Sequence, residues 1–155
     1  MTIPDKIAFK NTLRQACADA IGARIAAARE GMDNAQAAAN QEEKSSAGDK
    51  YETGRAMGHL EKELHSRQLS ENLKEMALLH ELNTSILYTS ATSGAYIECA
   101  DAAFFVGAGL GRWTVEGRTI IFLSPHAPLA KALIGKKEGD SFLFKGISQI
   151  IREVF

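Results

Sequence analysis

Between Pro4 and Pro125 the chain contains no proline, and through residue 83 its apolar side chains recur at helical spacing. Ile21, Ile25, Ala28, Met32, Ala35 and Ala39 are separated alternately by four and three residues, a heptad seam. Phe9, Leu13 and Cys17 extend the apolar face upstream. A second run carries Met57, Leu60, Leu64, Leu69, Leu73, Met76 and Leu79, with the heptad broken at the step from Leu64 to Leu69. Between the runs lies Lys44-Ser45-Ser46-Ala47-Gly48-Asp49, polar and turn-prone. The pattern predicts two antiparallel helices, about Pro4 to Ser45 and about Asp49 to Asn83, with a turn at Ser45–Gly48. At 1.5 Å per residue they would be roughly 60 Å and 50 Å long. Gly22, Gly31, Gly54 and Gly58 each cost such a helix about 1 kcal/mol against Ala. Alanine at the seam buries little surface per layer, so a slender hairpin is expected rather than a thick bundle.

The composition changes near Asn83. Ala, Glu, Lys, Leu and Gln give way to Gly, Phe, Ile, Val and Thr, and Pro125 and Pro128 appear. Short strands are expected over Ala95–Cys99, Ala103–Val106, Arg112–Val115, Arg118–Leu123, Ser141–Lys145 and Ile147–Val154. Glu116-Gly117 supplies a hairpin turn. Pro128 to Ile134 reads as one short helix, opened by proline and ended by Gly135. The expected fold class is therefore α+β: a long antiparallel helical hairpin over residues 1–83, then a small twisted β-sheet domain with one short helix over residues 84–155.

Charge separates few alternatives within the chain but excludes some functions. Residues 1–83 hold 11 basic and 13 acidic side chains, and residues 84–155 hold 7 and 6. With a net charge of −1, the protein is not a polycation built to coat nucleic acid. Two cysteines, Cys17 and Cys99, exclude a disulfide framework or a four-cysteine zinc site. Residues 1–10 have no apolar core of signal-peptide type, and no stretch approaches a membrane span, so the expected location is the cytoplasm.

Asp49 and Glu52 stand three residues apart at the start of the second helix. This spacing suits a capping pair, Asp49 as N-cap and Glu52 at N3, satisfying otherwise free N–H groups. Spacing alone favours the cap; the functional alternative is two hard oxygen ligands for Mg²⁺ on a solvent-facing tip. Two ligands hold the metal weakly, so further ligands would come from another molecule.

Gly48-Asp49-Lys50-Tyr51-Glu52 resembles the tip motif of Gre-type transcript cleavage factors, in which Gly-Asp precedes a Glu three residues after the Asp. Pro128-Leu129-Ala130-Lys131-Ala132-Leu133-Ile134-Gly135-Lys136 resembles a second segment of that family, and Gly139-Asp140 follows it. The order of a coiled-coil hairpin before a C-terminal FKBP-like domain also matches. The resemblance implies a transcription elongation factor that binds RNA polymerase through its secondary channel. It would stimulate the polymerase's own hydrolysis of backtracked RNA, meeting the RNA 3′ end only indirectly. It implies no cofactor of its own; Asp49 and Glu52 would share Mg²⁺ with the polymerase active centre, in keeping with two-metal phosphodiester chemistry. Tyr51 would contact RNA or polymerase, and the region of His126 and Pro128 would dock on the channel rim. A monomer is expected, with Leu133 and Ile134 buried under the sheet and His126 and Pro128 near the surface.

The sequence departs from the family pattern at three places. His126 stands where an acidic residue is frequent, Ala127 where the pattern has Ser, and Thr53 where Asn often follows the tip Glu. Other readings are a channel-binding modulator that does not cleave, an FKBP-like prolyl isomerase or chaperone, and a coiled-coil adaptor. Gly107-Ala108-Gly109-Leu110-Gly111 leads into a strand rather than a helix, which suits a β-turn or bulge more than a nucleotide loop. His59, His65, His80 and His126 form no zinc pattern. Cys17 and Cys99 read as small buried hydrophobes. Trp113 and the six Phe residues of the second half read as core. Lys131, Lys136, Lys137 and Lys145 read as a solvated face.

Overall fold

A computed structural model gives the chain as α+β, two long helices followed by a six-stranded mixed sheet and a short helix. It describes residues 1–43 and 48–155, and the side chains of residues 1–41 and 52–155. The elements are α1 (Ile3–Glu43), α2 (Gly48–Glu81), β1 (Tyr96–Cys99), β2 (Ala103–Val106), β3 (Gly111–Val115), β4 (Arg118–Leu123), α3 (Pro128–Leu133), β5 (Ser141–Phe144) and β6 (Ile147–Val154). Each expected element is present within a few residues of its expected ends. Gly48 opens α2; the rest of the expected turn at Ser45–Gly48 lies outside the described residues. Among the described residues no helix is long and apolar enough to cross a membrane.

Packing groups the chain into two compact units, Ile21–Ala77 and Met1–Ala20 with Leu78–Phe155. This differs from the compositional boundary at residue 83, because the first turns of α1 pack with the sheet.

The unit Ile21–Ala77 is a pair of antiparallel helices. Gly31 meets His65, Ala35 and Ala39 meet Gly58, and the Lys62 ammonium donates to Gln36 Oε1 at 2.7 Å. On α1 the expected seam holds: Ile21, Ile25, Ala28, Ala35 and Ala39 are buried and Met32 is half-buried. On α2 it does not. Met57, Leu60, Leu64 and Leu73 are exposed. The protected positions are instead Gly58, Lys62, His65, Leu69, Asn72, Met76 and Leu79, an unbroken alternation of four and three. A seam of alanines on α1 draws the backbones together, and small or polar residues on α2 fit that spacing where leucines would not. The glycines, counted above as costs, divide accordingly. A Cβ on Gly31 would lie 2.6 Å from the His65 ring and one on Gly58 3.1 Å from Ala39 Cβ, whereas Gly22 has nothing within 4 Å.

In the other unit the strand order is β3-β4-β2-β1-β6-β5. Only β2 and β4 run parallel among the paired strands. Glu116-Gly117 and Lys145-Gly146, all at positive φ, make the two-residue turns of the β3–β4 and β5–β6 hairpins. One face of the sheet receives α1: Phe9 sits edge-on to Tyr96 with centroids 5.1 Å apart, and Tyr96 packs on Phe155 at 4.8 Å. The other face carries Ile97, Phe104, Val106, Phe142 and Ile151, covered by Ala130 and Leu133 of α3. Burying a residue such as Leu133 contributes about 2 kcal/mol from area alone.

Three side chains of α1 tie down the segment that leaves α2. Lys10 Nζ donates to the carbonyl of Ile86 at 2.7 Å, Arg14 Nη1 to that of Leu82 at 3.0 Å, and Asn11 pairs with the Thr84 hydroxyl. The start of α1 is closed by a reciprocal cap. Asp5 N–H donates to Thr2 Oγ1, and Thr2 N–H donates to the Asp5 carboxylate, which holds the Asp5 pKa below its usual value.

Two expectations about the sheet domain need correction. Ile134 is exposed, because the chain leaves helical geometry there at ψ 128° and turns its side chain away from the sheet. Trp113 is also exposed, since β3 is an edge strand with one neighbour; its indole N–H is satisfied by the Leu110 carbonyl at 2.9 Å. The six Phe residues do lie in or against the core: five are buried, and Phe144 is half-buried.

Candidate functional site

Glu52 lies near the start of α2, four residues after Gly48, and is exposed to solvent, as are its neighbour Thr53 and, one turn on, Ala56. The side chains of Asp49 and Tyr51 lie outside the described residues, and with them the capping pair read from the sequence. Among the described residues no three His, Cys, Asp or Glu side chains converge to hold a metal ion. A carboxylate in this position can thus contribute an oxygen to a cation held mainly by other groups, which is the chemistry Mg²⁺ accepts.

In the second unit, His126 and Pro128 are both exposed, as expected. They sit on a tight turn in which the Ala127 N–H donates to the Ser124 carbonyl at 3.0 Å and the His126 N–H to Ser124 Oγ at 3.2 Å. Pro128 opens α3 from the extended conformation of Ala127, whose methyl group offers no cap to the free N–H groups of the helix. Leu133 anchors this turn from below, fully buried. Pro128 is therefore presented on a short, pinned helix, while Ile134 adds an apolar side chain to the surface.

Two concavities lie elsewhere on the described surface. A groove of about 550 Å³ along the helix pair is lined by Arg24, His65, Gln68, Glu71, Asn72 and Glu75. Gln68 joins two of its polar groups: Asn72 Nδ2 donates to the Gln68 carbonyl, and His65 Nδ1 bonds Gln68 Oε1. A crevice of about 270 Å³ beside the end of α2 is lined by Leu78, Leu82, Tyr88, Ser93, Gly107 and Pro125, among others. Tyr88 is its one aromatic wall, which gives an isomerase little to grip a proline ring with. The glycine-rich run is part of this region as a chain reversal: Gly107 N–H bonds the Leu123 carbonyl, and Leu110 N–H bonds that of Ala108.

The titratable groups displaced from their ordinary values are structural. Burial pulls the Lys10 ammonium down to about 8, although its Nζ also lies 4.5 Å from the Tyr88 ring centroid. Burial, then the nearby Glu98 carboxylate, pushes the Cys99 thiol up to about 11, so it is an inert small hydrophobe as expected. Burial and the same carboxylate push Tyr96 up to about 12, with its hydroxyl 3.2 Å from Glu98 Oε1. Cys17 is buried too. His59, His80 and His126 are exposed, and His65 is half-buried on the seam.

No family model, curated protein or solved structure matches the chain. The sequence reading passed over Lys10 and Arg14. Their signal was two cations four residues apart, each directly beside a residue of the apolar face, Phe9 and Leu13.

Proposed function

We propose that the protein is an accessory factor of RNA polymerase of Gre type, acting through the secondary channel to promote cleavage of backtracked RNA. The observation that supports this most is the position of Glu52. It faces solvent near the start of α2, three residues after Asp49, in a helix that pairs antiparallel with α1. Two carboxylates there would add oxygen ligands to an Mg²⁺ ion that the polymerase already holds. The metal supplies the activation of water; the chain supplies the ligands and the reach. Tyr51 adjoins them in sequence, beside the emerging RNA in this reading. The exposed turn of His126 and Pro128 would meet the channel rim.

The departure at His126 and Ala127 gives a second reading its footing. An exposed imidazole in place of a carboxylate, before an uncapped α3, alters the charge offered to the rim. A factor so altered could occupy the channel without promoting cleavage. One experiment separates the two: addition of the protein to a stalled, backtracked elongation complex of the cognate polymerase. Shortened RNA supports the cleavage factor. Protection from a known cleavage factor, without shortening, supports the modulator. Neither effect removes the polymerase reading.

A further inference from the structure

We propose that the open edge of β5 is a self-association surface, on which a second copy of this chain adds its own β5 antiparallel. β5 is the last strand of the sheet and pairs only with β6. The Lys145-Gly146 turn makes Phe144 and Ile147 a hydrogen-bonded pair. At the other end the Ile151 N–H donates to the Asp140 carbonyl at 2.9 Å. Antiparallel alternation between these points turns the N–H and C=O of Ser141 and Leu143 away from β6, toward the open edge.

This edge is short, four residues, but carries neither a proline nor a charge within the strand to guard it against pairing. No charged residue lies between Asp140 and Lys145. The opposite edge differs. The same alternation from the Glu116-Gly117 turn makes Arg112 and Thr114 its outward residues, so a guanidinium stands on that edge. Beside β5, Leu143, Ile147 and Ile150 are 70%, 63% and 61% exposed. Leu143 and Ile150 lie on one face, as the pairing of Ser141 with Ile150 requires. They form an apolar strip that nothing in this unit covers.

Charge selects a second copy as the occupant. The edge carries a carboxylate at one end, Asp140, and an ammonium at the other, Lys145. An antiparallel copy brings each Asp140 toward Lys145 of the other chain, whereas a parallel copy sets like against like. With Ser141 of each chain opposite Leu143 of the other, the four outward groups of each strand find partners. The two leucines then join the apolar strips across a two-fold axis, the isologous arrangement of most dimers. The contact is short, so it belongs among weak interfaces.

Sedimentation equilibrium of the full chain, up to about 1 mM at the weak end of the affinity scale, tests the proposal. The average mass should rise with concentration toward twice that of the monomer. Leu143→Lys places a charge on an exposed position of the edge. Ser141→Pro removes an outward N–H at the first residue of an edge strand, where proline leaves the β5–β6 ladder intact. Lys145→Asp suits the left-handed turn but makes both ends acidic. Each should weaken association about tenfold or more without changing the circular dichroism spectrum. A parent that stays monomeric throughout overturns the proposal and leaves the edge to an extended segment of some other protein. Variants that dimerise as well as the parent overturn it also.

Discussion

The His65 ring sits directly against the backbone of Gly31, so closely that a methyl group there would fall 2.6 Å from its Cε1 and Nδ1 atoms. This contact sets the spacing of the two helices, and it makes equal substitutions at two glycines act in opposite directions. Gly22→Ala meets nothing within 4 Å and gains helix propensity, so it should stabilise by about 0.5–1 kcal/mol. Gly31→Ala gains the same propensity but must displace the ring, and should destabilise by about 1–3 kcal/mol. Adding His65→Ala should recover much of that loss. Urea unfolding of the four variants checks the signs; additive effects of Gly31→Ala and His65→Ala would refute the contact.

α3 begins at an N-cap that cannot cap. Ala127→Ser restores a side-chain oxygen at an extended residue already in N-cap geometry. It should raise stability by about 1 kcal/mol, read as a higher urea midpoint with an unchanged slope. It also creates the Ser-Pro pair of the Gre-type segment that residues 128–136 resemble, so under the proposed function tighter polymerase binding should accompany it if this turn docks.

The buried Lys10 should leave a mark on the pH dependence of stability. Its folded value is lowered to about 8 from 10.5. Between those values the unfolded chain holds more protons than the folded one, so folding gains as pH rises through the window and loses as pH falls through 8. Cys99 and Tyr96, both raised, act in the opposite sense above pH 9 and 10. Comparison with Lys10→Met removes their contribution. The stability of the parent relative to that variant should increase from pH 8 to pH 10; a constant difference would show that Lys10 titrates normally.

Capping and metal binding part company in a conservative double change. Asn caps as well as Asp, and Gln can stand in for Glu in a capping box. Asp49→Asn with Glu52→Gln should therefore leave the thermal midpoint nearly unchanged. Neutral amides are much poorer Mg²⁺ ligands than carboxylates, so under the proposed function polymerase binding should persist while stimulated RNA cleavage is largely lost. A double variant that cleaves like the parent would leave these residues as caps alone.

Element types and most boundaries could be read from the sequence because periodicity and turn chemistry are local. β2, β4 and β6 match their expected spans residue for residue. The face of α2 could not be read the same way. Met57, Leu60 and Leu64 form an apolar stripe at seam spacing, yet the true seam runs through Gly58, Lys62, His65 and Asn72. Hydrophobicity locates a seam only where packing demands bulk, and opposite Ala35 and Ala39 it demands close approach. The apparent break between Leu64 and Leu69 was the boundary between two stripes. Ile134 failed for a different reason: one residue past the end of α3, the helical period no longer tells where a side chain points. Glu52, His126 and Pro128 lie at the surface because a charge, a polar ring in a turn between two prolines and proline itself all disfavour the interior.

The packing of Phe9 against Tyr96 and Phe155 also dictates an order of events during synthesis. The partners of the first helical turns are made nearly a whole chain length later. Residues 21–77, contiguous in sequence, can leave the ribosome and pair while the sheet is still being translated. Lys10 gains its partners once residues 86–88 have emerged, but Phe9 stays partly uncovered until Phe155 has. The unit they belong to is closed by contacts of very high sequence separation, so its completion should be the slow step in folding, and its exposed aromatic face the point at which chaperones engage the nascent chain.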